Sequence, residues 1–327
     1  MAPTVTWRDG AIELIDQTRL PDDEVVLRLT DVDGVIEAIA RLAVRGAPAI
    51  GVAGGFGVAL AARGEADRVA ERVALLRAAR PTAVNLARVV DRVAARLPDG
   101  PDAVLAEALA VHDEEAAASW AMGRRGADLV AELVARRPVR AVTICNTGAL
   151  ATVGRGTALA VVFELADRGQ LGEVLALETR PLLQGARLTA WELARAGIAH
   201  RLCVDGAAAG LLAGGVVDVA LVGADRIAAD GSVANKVGTL GLALAARHAG
   251  IPFIVVAPES TVDESTPDGA SIAVEERGPE EITHLAGRPT APTGTAARNP
   301  AFDVTPPELV SAVVTDRRVW RPGPAAG

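Results

Sequence analysis

Lys236 is the single lysine of this chain of 327 residues, whose lysines and arginines together number 33. An arginine fork suits bidentate pairing, whereas an ammonium is a compact point charge suited to one oxygen in a tight site. A lone lysine among arginines is therefore a site candidate; the plain alternative is a survivor on a solvated face. Asparagine is nearly as rare, at Asn85, Asn146, Asn235 and Asn299, in the segments PTAVNL, ICNTG, VANKVG and ARNPAFD. Cys145 stands between the apolar run VRAVTI and the turn-forming NTG, near the start of the next helical pattern. Backbone N–H groups at a helix start favour an anion, so this thiol is a candidate acid, base or nucleophile. A small buried core thiol is the alternative, and it is the preferred reading for Cys203, inside the run RLCVD. Asp225 closes nine mostly apolar residues, VDVALVGAD. A carboxylate there must be paired, hydrogen-bonded or raised in pKa, and the last of these suits general acid–base work. An ion pair with Arg226 or a helix cap is the alternative. Glu178 and Asp205 end the runs VLAL and RLCV and carry the same two readings.

A third group of residues suits phosphate. RGAPAIG, Arg45 to Gly51, places an arginine and a small-residue turn ahead of a glycine-rich helix start, which offers N–H groups to an anion. Arg80 precedes PTAVN, and Arg180, Gln184 and Lys236 follow strand ends. A single arginine is ordinarily a surface charge; several converging at one sheet edge would make a pocket for a phosphorylated substrate.

Other chemistries have little support. GxxxxGK[ST] is absent, and GRGTAL at 154–159 lacks the third glycine of a dinucleotide loop and does not directly follow its strand. The four histidines, at 112, 200, 248 and 284, have no HExxH spacing, so neither a metal nor a cofactor is expected. Two distant cysteines predict free thiols, not a disulfide framework. The formal charge of −8, with no run of basic residues, argues against nucleic acid and against an anionic membrane. No apolar run reaches the ~18 residues of a membrane span, and the amino terminus lacks a leader pattern, so a cytoplasmic protein is expected.

The elements that must position these residues fall into two patterns. VTW, RDG and AIELI predict an N-terminal hairpin. DVDGVIEAIARLAV, GVAGGFGVALAARG, ADRVAERVALLRAAR and NLARVVDRVAARL read as helices, and LPDGPD precedes one more. Residues 1–125 thus predict a mainly helical domain. From Pro138 short apolar runs alternate with helices as far as IPFIVVAP, the pattern of a doubly wound parallel sheet in a domain of residues 126–327. Residues 259–300 predict a long irregular connection, and ELVSAVVT a short terminal helix with an edge strand. The fold class expected is α/β.

RGAPAIG, RPTAVNL, CNTGALAT (145–152), ETRPLLQGARLTAWEL (178–193), GADRIAADGSVANKVGT (223–239) and NPAFDVTP (299–306) together resemble the methylthioribose-1-phosphate isomerase family of methionine salvage. That family is grouped with ribose-1,5-bisphosphate isomerases and with regulatory subunits of the eukaryotic initiation-factor exchange factor. The likeness spans nearly the whole chain. It implies a helical N-terminal domain, a Rossmann-like C-terminal domain, a homodimer and a small sugar-phosphate substrate. It also implies that Cys145 and Asp225 are the catalytic pair, and that Arg45, Gly46, Ala47, Arg80, Gln184, Asn235 and Lys236 bind substrate. Two positions depart from the family pattern: Arg155 stands where an aromatic residue is expected, and Gly206 where serine or asparagine is usual. Both bear on fine substrate preference. The competing readings are an isomerase of another aldose 1-phosphate, such as 5-deoxyribose 1-phosphate or ribose 1,5-bisphosphate, and a non-catalytic subunit on the same fold. The non-catalytic reading predicts loss of the Cys/Asp pair, which is present.

Overall fold

A computed structural model describes residues 4–80 and 84–323. Residues 1–3, and Pro81, Thr82 and Ala83 of the RPTAVNL segment, lie outside the described residues. The chain forms two compact units, Met1–Ala121 with Asn146–Ala160, and Met122–Cys145 with Val161–Gly327.

In the first unit β1 (Val5–Arg8) and β2 (Ala11–Ile15) pair from Val5↔Leu14 to Arg8↔Ala11. Asp9 and Gly10 between them both have positive φ, 48° and 77°, the primed turn whose twist matches a hairpin. A third strand, β3 (Val26–Leu29), joins β2 and was not anticipated. The helices follow as α1 (Val32–Ala40), α2 (Ala47–Ala62), α3 (Val69–Ala78), α4 (Val84–Ala94) and α5 (Pro101–Leu133), the last ending in the second unit. Asp31 caps α1, its carboxylate accepting from the Gly34 N–H at 2.8 Å. α2 is buried from Pro48 to Ala61, an all-apolar central helix. Its glycines let α4 approach: a Cβ at Gly54 would lie 2.4 Å from Leu86 Cδ1, and one at Gly55 3.2 Å from Val89 Cγ1.

The second unit contains β4 (Val139–Thr143), α6 (Ala158–Asp167, begun in the first unit), β5 (Leu171–Leu177), α7 (Ala190–Arg195), β6 (His200–Cys203), α8 (Ala208–Ala213) and β7 (Val219–Val222). Then come β8 (Arg226–Ala228), β9 (Val233–Lys236), α9 (Thr239–Ala249), β10 (Phe253–Val256), β11 (Val262–Asp263) and α10 (Glu280–Thr283). β12 (His284–Leu285), β13 (Arg288–Pro289), β14 (Phe302–Thr305), β15 (Ala312–Val314) and β16 (Val319–Trp320) close the chain. The main sheet runs β16-β15-β10-β7-β4-β5-β6. Its strands pair in parallel except at the β15–β16 edge. VALV of β7 and FIVV of β10 are buried throughout, as strands covered on both faces must be. The protein is therefore α/β, with a helical N-terminal region and a parallel sheet.

Two stretches differ from expectation. The supposed irregular connection carries β11, α10 and the β12–β13 hairpin, and ELVSAVVT contributes a 3-10 turn at Pro307–Leu309 and the inner strand β15 in place of a helix with an edge strand. A second sheet, β11-β8-β9-β14, was also not foreseen.

β4 and β7 are tied by one ion pair. The Asp218 carboxylate accepts from the Arg140 guanidinium at 2.8 and 3.0 Å and from the Arg140 N–H at 2.8 Å. Burial pushes this carboxyl up, but the hydrogen bonds and the charges of Arg140 and Arg136 outweigh it and hold it below the ordinary aspartate value. Its stabilisation is complete above that ordinary value and is lost as pH falls through the depressed folded one. Asp218→Asn is expected to cost about 2 kcal/mol at neutral pH and to flatten the acid loss of stability. Denaturant titrations of both proteins across that range test this, and parallel curves would refute it.

Candidate functional site

β4 neighbours β5 on one side and β7 on the other; from β4 the chain fills the sheet first toward β6, then from β7 toward β15. The order reverses between β4 and β7, and open parallel sheets bind ligands beyond the strand ends at such a reversal. Cys145 lies two residues past the end of β4 and Asp225 three past the end of β7, so the two flank the reversal. Glu178 directly follows β5, and Asp205 lies two residues past β6.

Cys145 is half-buried and holds φ +67°, a left-handed conformation that costs a non-glycine residue about 1–2 kcal/mol. Its N–H donates to Thr179 Oγ1 at 2.9 Å, and its carbonyl accepts from Thr189 Oγ1 at 2.7 Å. Thr179, also at φ +67° and fully buried, donates from Oγ1 to the Leu177 carbonyl at 2.9 Å. The two Asp205 oxygens accept from the N–H groups of Thr179 (2.8 Å) and Arg180 (2.7 Å). The Asp205 carboxylate therefore organises the ETR turn, a structural task, and the threonines were missed by sequence reasoning because their partners are backbone atoms. Gln184, buried, precedes a π-helical turn at Gly185–Thr189. After Cys145 a 3-10 turn spans Ala149–Ala151, and the next α-helix begins at Ala158. Asp225 is exposed, three residues past the end of β7. Arg226, offered as its ion-pair partner, lies 3.6 Å from Asp263. Burial pushes the Cys203 thiol up, in keeping with a structural role.

Asn235 and Lys236 end β9, opposite Asp303 and Phe302 of β14. All four asparagines and Lys236 are buried, which removes the solvated-face reading for the rare residue types. Lys236 Nζ lies 5.5 Å from the centre of the Phe302 ring, within cation–π range. Asn235 Nδ2 donates to Thr239 Oγ1 at 2.9 Å, which donates to the Lys236 carbonyl at 2.6 Å. Asp303, another residue the sequence did not single out, accepts from the N–H groups of Gly238 (2.7 Å) and Leu240 (3.0 Å) at the start of α9. Burial raises its pKa against those bonds and the charge of Lys236. Burial likewise acts on Glu281, but hydrogen bonds from Arg277 and Asn299, with the charges of Arg277 and Lys236, leave that carboxyl lowered. Gly238, at φ +103°, packs so closely that a Cβ would lie 2.8 Å from Ile144 Cδ1. The turn carrying Lys236 is thus set against the residue preceding Cys145.

In the first unit the RGA turn and the loop after Cys145 meet. Gly46 has φ +85°, and a Cβ on it would lie 2.2 Å from the Ala151 carbonyl oxygen, so only glycine fits. Arg45 and Ala47 flank it, half-buried, and α2 starts at Ala47 without a side-chain cap. Thr4 Oγ1 and Gln17 Nε2 hold the loop through the Ala149 and Leu150 carbonyls at 2.6 and 2.7 Å. Arg80, half-buried, follows α3 in the same unit. Of the two departures, Arg155 stacks its guanidinium 4.3 Å from the centre of the Trp120 ring, and its N–H donates to Ser119 Oγ at 2.8 Å. Gly206 has open space where a Cβ would stand, so nothing local demands glycine there.

Among the described residues, no group of three or more His, Cys, Asp or Glu is placed to hold a metal ion, and no helix is long and apolar enough to cross a membrane.

The model of the family described as "Initiation factor 2 subunit family" matches residues 43–322. A Nocardia farcinica protein named "Probable bifunctional methylthioribose-1-phosphate isomerase/methylthioribulose-1-phosphate dehydratase" is 55% identical over 97% of this chain, which spans 58% of that relative's length. A Moorella thermoacetica protein named "5-deoxyribose 1-phosphate isomerase" is 50% identical over 97% of this chain and 94% of its own. The crystal structure of 5-methylthioribose 1-phosphate isomerase from Pyrococcus horikoshii superposes with a TM-score of 0.92 at 39% identity, covering 98% of this chain and 93% of that one.

Proposed function

The chain belongs to the initiation factor 2 subunit family, and from that premise we propose that it is an aldose–ketose isomerase converting 5-methylthioribose 1-phosphate to 5-methylthioribulose 1-phosphate in methionine salvage. The observation that carries the reading is the placement of Cys145 and Asp225 on either side of the β4–β7 reversal, in a chain similar to named isomerases.

An aldose 1-phosphate has its anomeric oxygen blocked by phosphate, so the furanose ring must open with the phosphate still attached. Asp225 delivers a proton to the ring oxygen and later takes the proton of the C2 hydroxyl. One hydrogen moves from C2 to C1, C2 becomes the ketone, and no atom is gained or lost. Cys145 serves as the second acid–base group or stabilises the charge that develops between C1 and C2. Arg45, Gly46, Ala47, Arg80, Gln184, Asn235 and Lys236 form the substrate-binding set, with Lys236 meeting a phosphate or hydroxyl oxygen. The homodimer and the cytoplasmic setting belong to the same proposal; sedimentation of the purified protein at twice its chain mass of 33.4 kDa would support the first.

The similarity to the Moorella thermoacetica relative favours 5-deoxyribose 1-phosphate as the second reading. Incubating the protein with a panel of 5-substituted ribose 1-phosphates and following ketose formation by NMR decides between them. No ketose from any member would overturn the isomerase reading altogether. In deuterated solvent, label at C1 favours an enolate route, whereas retention of the substrate hydrogen is shared by direct hydride transfer and by an enolate whose shielded base returns the same proton.

Lys236→Arg is expected to raise KM roughly tenfold with kcat little changed, since one charge-assisted hydrogen bond is worth about 1.5–3 kcal/mol and a broad fork does not replace a buried point charge. An unchanged KM would remove Lys236 from the binding set.

A further inference from the structure

Both backbone polar groups of Cys145 are occupied by hydroxyls of fully buried threonines: its N–H by Thr179 Oγ1 at 2.9 Å and its carbonyl by Thr189 Oγ1 at 2.7 Å. The residue so held is one of few non-glycine residues at positive φ, and Thr179 is another. A non-glycine residue stays left-handed only where its surroundings over-determine it. Released, Cys145 would relax toward negative φ and its Cα–Cβ bond would swing, carrying Sγ with it. Thr179 is itself fixed on three sides: its hydroxyl donates to the Leu177 carbonyl, its N–H donates to Asp205, and its carbonyl accepts from the Leu183 N–H at 2.8 Å. Thr189 closes the π-helical turn, a rare geometry that recurs at functional sites.

We propose that Thr179 and Thr189 are positioning residues that clamp Cys145 in its left-handed turn and thereby aim its thiol, with Asp205 anchoring the Thr179 arm. The proposal rests on the reading of Cys145 as a reacting group. It assigns the hydroxyls, not the threonine shape, so valine must fail and serine must rescue.

The test uses the full-length protein with Thr179→Val, Thr179→Ser, Thr189→Val and Thr189→Ser, each in a Cys203→Ala background so that Cys145 alone reports. Two quantities are measured: kcat and KM on the sugar phosphate turned over by the unmodified protein, and the iodoacetamide alkylation rate of Cys145 as a function of pH. Displacement of a reacting group by about 1 Å can cost 10²-fold. Each valine variant is therefore expected to lose about 10- to 100-fold in kcat with KM within about threefold, and to show an altered alkylation profile. Serine is expected to restore both. Valine variants that melt as the parent does and keep kcat and alkylation profile within about twofold would overturn the clamp, as would serine variants that rescue neither. If Thr179→Val does not fold, Thr189→Val decides, because it leaves the first hydroxyl in place. If no sugar phosphate is turned over, the isomerase reading fails while the alkylation profiles still decide the clamp.

Discussion

Asp225→Asn and Cys145→Ser are each expected to lower turnover of the sugar phosphate by about 10²- to 10⁴-fold, the range that a positioned acid–base group supplies. Substrate binding should remain measurable by calorimetry in both variants. The asparagine keeps the size of the carboxylate and removes its proton exchange. Asp225 is exposed, so its loss should leave folding nearly intact, and a fall in kcat there cannot be blamed on a collapsed core. Serine keeps a donor at position 145 but is a far weaker acid than a thiol. Its backbone tethers to Thr179 and Thr189 do not involve the side chain and should survive the change. Near-wild-type turnover in either variant would remove that residue from the catalytic pair, and near-wild-type turnover in both would place the proton chemistry on other residues.

The second large effect is structural. A Cβ built on Gly185 would lie 1.7 Å from the Leu177 carbonyl oxygen and 2.8 Å from Thr179 Oγ1. Neither is the loose end of a flexible side chain; the first is backbone at the end of β5. Gly185→Ala must therefore push the π-helical turn away from the strand, and it strikes the hydroxyl that holds Cys145. Overpacking in a well-packed core costs about 1–3 kcal/mol and occasionally more; a backbone collision places this variant at the upper end. The expected outcome is a thermal midpoint lowered by several degrees together with a loss of turnover. A variant with unchanged melting would mean that the turn yields without strain. Gly206→Ala is the control, since a Cβ at Gly206 meets open space.

Much of the frame was legible in the residues. Helical patterns marked α1 to α5, and the short, mostly apolar runs VRAVTI, VLAL and IPFIVV marked strands of the parallel sheet. Strand ends then located Cys145, Glu178, Asp205 and Asp225 without coordinates. Compositional rarity picked out Lys236 and the asparagines, and their burial agrees with it. The small sheet was illegible because β8 and β9 are only three and four residues long and β14, which pairs with β9, lies more than sixty residues further along the chain. Asp225 shows the limit of inferring burial from neighbours: an apolar run ends where its strand ends, and the next residues can face solvent. The threonines left no trace because each bonds to a main-chain atom, and a main-chain atom has no sequence signature. Nor does the sign of φ at Cys145, which any residue type would conceal.

The loop after Cys145 is held to the opposite end of its unit in sequence by Thr4 and Gln17, over separations of 145 and 133 residues. Those contacts close very large rings, and a ring can close only when both of its ends exist. During synthesis the hairpin and the first helices therefore emerge long before the segment that completes them. The first unit reaches its full set of hydrogen bonds only after about half the chain has left the ribosome. Expression of residues 1–121 alone would leave the hairpin's Thr4 and Gln17 side chains without the carbonyls of Ala149 and Leu150, so the helical half of this protein is not a fragment that can be cut out as one continuous piece.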